Sequence, residues 1–105
     1  TIAGHIGSGN FHIIPLMELR KESEREKIMK ISEEIYPLVF EFNGSTTAEH
    51  NDGFIRSHYL QKMYGERIYS LFEAVKKIFD PQNIFNPRKK TGVDIDFALE
   101  HIKKS

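Results

Sequence analysis

The chain has 105 residues, 39% hydrophobic and 29% charged, and its 15 basic and 15 acidic side chains cancel to a formal net charge of zero. That is room for one domain with a modest core, without the strong positive field that nucleic-acid or anionic-membrane binding draws on. The lack of cysteine excludes disulfides, thiolate metal sites and cysteine nucleophiles, and neither a bilayer-spanning apolar run nor a signal peptide is visible.

Residues 2 to 17 read as two short strands around a turn. Ile2, Ala3 and Ile6 precede Gly7-Ser8-Gly9-Asn10, a run suited to positive φ angles and local hydrogen bonds, and Phe11-His12-Ile13-Ile14-Pro15-Leu16-Met17 follows. A four-residue hairpin loop at 7 to 10 pairs Ile6 with Phe11 and His5 with His12. The two imidazoles then share a face, with Cβ atoms about 4.5 to 5.5 Å apart. Residues 19 to 42 read as a long helix with Ile28, Ile31, Ile35, Leu38, Val39 and Phe42 on one face. Pro37 predicts a kink or break, because it removes the bond to the Glu33 carbonyl, and Asn43-Gly44 predicts the stop.

Ser45-Thr46-Thr47 reads as a short strand leading into Ala48-Glu49-His50-Asn51-Asp52-Gly53, a charged stretch with neither helical nor strand periodicity. Residues 56 to 64 read as a short helix ended by Gly65. Residues 66 to 79 read as a clearer one, with Ile68, Leu71, Phe72, Val75, Ile78 and Phe79 on its apolar face and Asp80-Pro81 at its end. Residues 82 to 90 are irregular, and a last helix begins near Asp94 or Asp96 and includes Phe97, Ala98, Leu99 and Ile102.

This order predicts an α+β fold over residues 1–105: a small antiparallel sheet with helices packed on one face. So few strands make a marginal sheet with open edges, which further sequence, or a second copy in a homodimer, would cover. Thr1 opens inside a strand pattern with no lead-in, so the expectation is a piece of a longer polypeptide. The expected location is cytoplasmic or peripheral to a membrane.

The chemistry-bearing groups are few. His5, His12 and Glu49 offer two imidazoles and a carboxylate, a donor set for Zn, Mn or Fe(II) that leaves positions open for water or substrate. The alternative is ordinary surface or core histidines. His50, next to Glu49, is placed to act as a general base; the alternative is an exposed polar turn. Asn10 and Asn51 read as groups that orient substrate or cap local turns, the turn role fitting Asn10 better; Asp52 reads as a turn former or an anchor, and His58 and His101 as surface histidines. Arg56, Arg88, Lys89 and Lys90 read as a solvated basic cluster or an anion site.

Three ordered motifs carry a resemblance to a known family. Gly4-His5-Ile6-Gly7-Ser8-Gly9-Asn10-Phe11-His12 is similar to G-H-x-G-D-G-N-x-H, and Glu49-His50-Asn51-Asp52-Gly53 to E-H-G-D-G. Residues 79 to 89, from Phe79-Asp80-Pro81 to Asn86-Pro87-Arg88-Lys89, are similar to F-D-P-x-x-I-x-N-P-G-K. Over residues 1 to about 90 the chain resembles the C-terminal part of the FAD-linked oxidases of the vanillyl-alcohol-oxidase type. These are flavoprotein dehydrogenases of 2-hydroxy acids such as glycolate, D-lactate and D-2-hydroxyglutarate.

The resemblance implies a fragment of a ferredoxin-like substrate or cap domain, with His5, His12 and Glu49 as ligands of a divalent metal and His50 as the base. It implies Asn86 near the flavin, a small 2-hydroxy acid as substrate, and FAD held mainly by an N-terminal domain of the same polypeptide. By the same reasoning the isolated 105-residue chain neither holds FAD nor turns over. Ser8, Asn51 and Arg88 depart from the family pattern, which has Asp, Gly and Gly there, and Ile14 stands where hydroxyglutarate members have a polar residue. Two other readings compete: a non-catalytic α+β dimerisation module, and a metal-dependent hydrolase built on the same two-His, one-Glu site.

Overall fold

The computed structural model describes residues 2–102. Two short strands, β1 (Ile2–Ala3) and β2 (His12–Ile13), form an antiparallel pair. Five α-helices follow among the described residues: α1 (Glu22–Glu41), α2 (Gly53–Arg56), α3 (Leu60–Tyr64), α4 (Glu66–Phe79) and α5 (Ile95–Glu100). A small antiparallel sheet with helices is the α+β composition the sequence predicts.

The hairpin register differs from the expected one. Ala3, not His5, lies opposite His12, and Ile2 lies opposite Ile13. The cause is the connection. Ile6–Ser8 form one 3₁₀ turn, and the His5 carbonyl accepts from Ser8 N–H at 2.9 Å and from Asn10 N–H at 3.3 Å. The loop therefore closes on His5, and the ladder starts two residues earlier. Gly4 lets the strands approach: a Cβ there would lie 2.4 Å from the Asn10 carbonyl oxygen and 2.5 Å from Phe11 Cα. Gly4→Ala should therefore part the hairpin at a cost of about 1–3 kcal/mol. The expected result is an unchanged helical circular dichroism signal with His5 displaced, which weaker binding of divalent metal would report.

Helix α1 runs unbroken from Glu22 to Glu41 through Pro37, where a kink or break is expected from the sequence. The freed carbonyl belongs to exposed Glu33, where water can satisfy it. The stop at Asn43-Gly44 is as predicted. Asn43 is left-handed (φ 55°) and donates to the Phe40 carbonyl at 2.9 Å, and Gly44 donates to the Val39 carbonyl at 2.8 Å, the paired bonds of a Schellman motif.

Residues 45–47 form no strand. Ser45 Oγ accepts from the Thr47 and Ala48 N–H groups at 3.3 and 3.2 Å, bonds that turn the backbone locally instead of leaving it to pair. The helical stretch predicted over 56–64 begins earlier, at Gly53, and passes through a 3₁₀ turn at Ser57–Tyr59. Past α4, buried Asp80 organises the third motif. Its carboxylate accepts from the N–H groups of Ile84 and Phe85, each at 2.9 Å, and from the Lys76 ammonium. The Lys76 hydrogen bond is the largest influence holding the Asp80 carboxyl below the usual range.

The apolar core is small: Tyr59, Leu60 and Ala98 are the buried hydrophobic residues among those described. Tyr36 of α1 meets Tyr59 at 4.4 Å between ring centroids, α3 packs along α4, and α2 packs on α5 with Phe54 against Phe97 at 5.4 Å. Helices α1 and α4 bury no residue fully, and Leu71, Val75, Ile78 and Phe79 of α4 are more than half exposed. The radius of gyration is 15.0 Å, against about 13 Å for a compact chain of about 100 residues.

His58 is not the surface histidine its charged neighbours suggest. Its Nδ1 is buried without a well-formed hydrogen bond, and burial pushes its pKa down, the nearby Ile55 carbonyl only partly compensating. As pH falls, the unfolded chain takes up this proton first, at about pH 6.5. Stability from His58 is thus full above that pH and is lost as pH falls towards the folded pKa. The melting temperature should drop between pH 7.5 and 5.5, about the range over which histidine titrates, and drop less in His58→Gln.

Candidate metal centre

The hairpin and the loop after α1 converge on four side chains. His5 leaves β1 into the 3₁₀ turn, His12 opens β2, and Glu49 and His50 sit in a loop shaped by left-handed Ala48 (φ 44°) and Asn51 (φ 66°). Glu49 Oε1 lies 2.6 Å from His5 Nδ1 and 3.3 Å from His50 Nε2. The His12 and His50 rings meet edge to face at 4.8 Å between centroids, and the His5 ring lies 6.3 Å from His12 and 6.5 Å from His50. One donor atom from each of the four lies within 4.8 Å of all the others.

That spacing fits a divalent ion. Donors bound to one ion at about 2.0–2.2 Å lie roughly 3 to 4.4 Å apart, so small side-chain movements would close this set around it. Glu49 suits the role electrostatically. Its own backbone N–H, then the hydrogen bond from His5 and the charges of His50 and His5, hold its carboxyl below the usual range against a partial loss of hydration. The side chains of His5, Glu49 and His50 are 67%, 48% and 45% exposed, which leaves an open side for a further ligand.

All four residues singled out from the sequence for metal or proton chemistry are brought together, although His5 and His12 meet through the loop and not through the expected cross-strand register. The set holds four donors, whereas the resemblance assigns three ligands and one base. Asn86 is not one of the four: exposed on the loop after α4, its side chain accepts a hydrogen bond from Lys89 at 3.5 Å. Asn10, which reads as a turn former, instead donates from Nδ2 to Glu49 Oε2 at 2.8 Å, leaving Oε1 to face the histidines. Its position two residues before His12 carried the signal, since alternate residues of an extended segment share a face. His101 is exposed, as expected, and stacks on Phe97.

The sequence profile described as "FAD linked oxidases, C-terminal domain" matches residues 1–90. The chain belongs to this family. Among similar proteins, glycolate oxidase subunit GlcD of Bacillus subtilis is 33% identical over 91 residues, 87% of this chain and 19% of the relative. A D-lactate dehydrogenase of Anaerostipes hadrus is 33% identical, over 82% of this chain and 18% of its own. D-2-hydroxyglutarate dehydrogenase of Escherichia coli is 30% identical, over 82% and 8%. The chain thus spans a fifth or less of the length of these curated relatives. No solved structure gives a significant match.

Two of the departures from the family pattern fall at left-handed positions of this chain. Asn51 and Arg88 stand where the pattern has glycine, and both are left-handed, with φ of 66° and 62°. Asn tolerates this best, and its Oδ1 accepts the Asp52 N–H at 2.8 Å. Arg88 lies over the Phe97 ring at 4.1 Å, a cation–π contact that offsets part of the backbone cost.

Proposed function

We propose that this segment supplies the divalent-metal ligands and the catalytic base of an FAD-dependent dehydrogenase of small 2-hydroxy acids. The observation that carries the reading is the convergence of His5, His12, Glu49 and His50 donors within 4.8 Å, in the motifs that match the family. His5, His12 and Glu49 would hold the ion. When bound, the ion acidifies the substrate hydroxyl as a Lewis acid and FAD provides the two-electron acceptor. His50 would take the hydroxyl proton while the α-hydrogen passes as hydride to that acceptor, and a 2-oxo acid remains.

Asn86 is proposed to face the flavin, which another domain of the same polypeptide would hold. The ferredoxin-like cap architecture belongs to the same proposal. So does the cover for the exposed α4 face, from that polypeptide or from a second copy at the hairpin edge. The side chain of Ile14, half-exposed beside the site strand, is apolar and unsuited to a second carboxylate, which favours D-lactate or glycolate over D-2-hydroxyglutarate. Among the described residues no helix is long and apolar enough to cross a membrane, and a cytoplasmic location is part of the proposal.

The test is the full gene product. It should be purified yellow, contain divalent metal, and reduce a dye with D-lactate or glycolate faster than with D-2-hydroxyglutarate. A colourless, metal-containing protein that hydrolyses esters or amides would overturn this reading in favour of the hydrolase.

A further inference from the structure

The irregular segment after α4 reaches back to the loop that carries Glu49 and His50. Asp52 is only 3% exposed, and its carboxylate pairs with the Lys90 ammonium. Ser57, fully buried, accepts the Lys90 N–H at 2.9 Å, and its own hydroxyl donates to the Gly53 carbonyl. Arg56 clamps the same loop, donating to the Asn51 carbonyl at 3.0 Å and the Thr46 carbonyl at 3.4 Å. Both joined segments hold left-handed residues: Ala48, Asn51 and Gly53 in one, Asn86, Arg88 and Lys90 in the other. L residues keep such conformations only where surrounding contacts impose them.

We propose that Lys90 is a positioning residue for the metal centre: by neutralising Asp52 and bonding Ser57 it sets the loop that aims Glu49 and His50. The inference rests on the reading that the cluster binds a divalent ion. Its physical basis is the cost of a buried, unpaired carboxylate. Without Lys90, the Asp52 carboxylate must turn outward to reach water. It lies three residues from Glu49 and two from His50, so hydrating it moves both. Lys90 is thereby separated from the basic cluster of Arg88 and Lys89: its charge is committed to Asp52 and is not free for an anionic substrate.

The test titrates the full gene product, freed of bound metal, with Co²⁺, following visible absorption for coordination and circular dichroism for folding. Lys90→Met should keep the helical signal, weaken Co²⁺ binding about tenfold or more, and change the absorption bands. Lys90→Arg should restore affinity to within about threefold, and Asp52→Asn/Lys90→Met should bind no more weakly than Lys90→Met alone. Where Lys90→Met fails to fold, Lys90→Gln is read by the same criteria. Wild-type affinity and spectrum in a folded Met or Gln variant would overturn the proposal and leave the metal reading standing. A wild-type chain that binds no Co²⁺ would overturn both.

Discussion

Glu49→Ala should abolish tight divalent-metal binding, with a loss of at least about a hundredfold measured by Co²⁺ titration or metal analysis. Glu49 is the only anionic donor in the set, and its Oε1 is the atom that both His5 and His50 approach. Removing it leaves imidazoles alone to offset the charge of the ion. His5→Ala and His12→Ala should lose binding comparably, whereas His101→Ala, on an exposed helix end, should lose none. His50→Ala separates two roles that the geometry brings close. As the base, it should leave metal affinity within about threefold while lowering turnover of the full gene product by about 10²–10⁴. A loss of metal equal to that of Glu49→Ala would make His50 a fourth ligand instead.

Leu60→Ala should be the most damaging of the apolar truncations. Leu60 is 2% exposed and, with Tyr59 and Ala98, makes up the buried apolar centre of the described residues. A buried Leu→Ala change costs about 2–5 kcal/mol, against a total of roughly 5–15 kcal/mol for a domain of this size. A fall in melting temperature of about 10 °C or more is expected in thermal denaturation. Leu71→Ala, on the open face of α4, should change stability by no more than about 0.5 kcal/mol. A Leu71→Ala effect as large as that of Leu60→Ala would show that this face is covered in solution, and dependence of the effect on protein concentration would identify the cover as a second copy.

Much of the site was legible because its chemistry is written in residue types. A short chain without cysteine has few ways to hold a metal, and His5, His12, Glu49 and His50 lie in compact, glycine-bounded motifs. Helices α1 and α4 were legible for a similar reason: apolar residues recur every three or four positions, and Asn43-Gly44 and Asp80-Pro81 mark the ends. The start of α2 was not, because Gly53 and Asp52 serve a turn as readily as a helix. Nor was the fate of Ser45–Thr47, where a serine hydroxyl competed successfully with strand pairing.

What the sequence by itself determined, then, is which side chains can do chemistry, their order along the chain, and which helical faces are apolar. These are local properties, carried by residue type and period. The tertiary structure alone decided the hairpin register, because a 3₁₀ turn closing on His5 shifts every partner by a count that composition does not reveal. It also decided that Asn10 holds Glu49, that Lys90 neutralises Asp52 across 38 positions, and that the small core gathers around Tyr59 and Leu60 while α4 stays open. Periodicity states that a face is apolar. What lies opposite that face, and which buried charge meets which, depends on how distant segments come together.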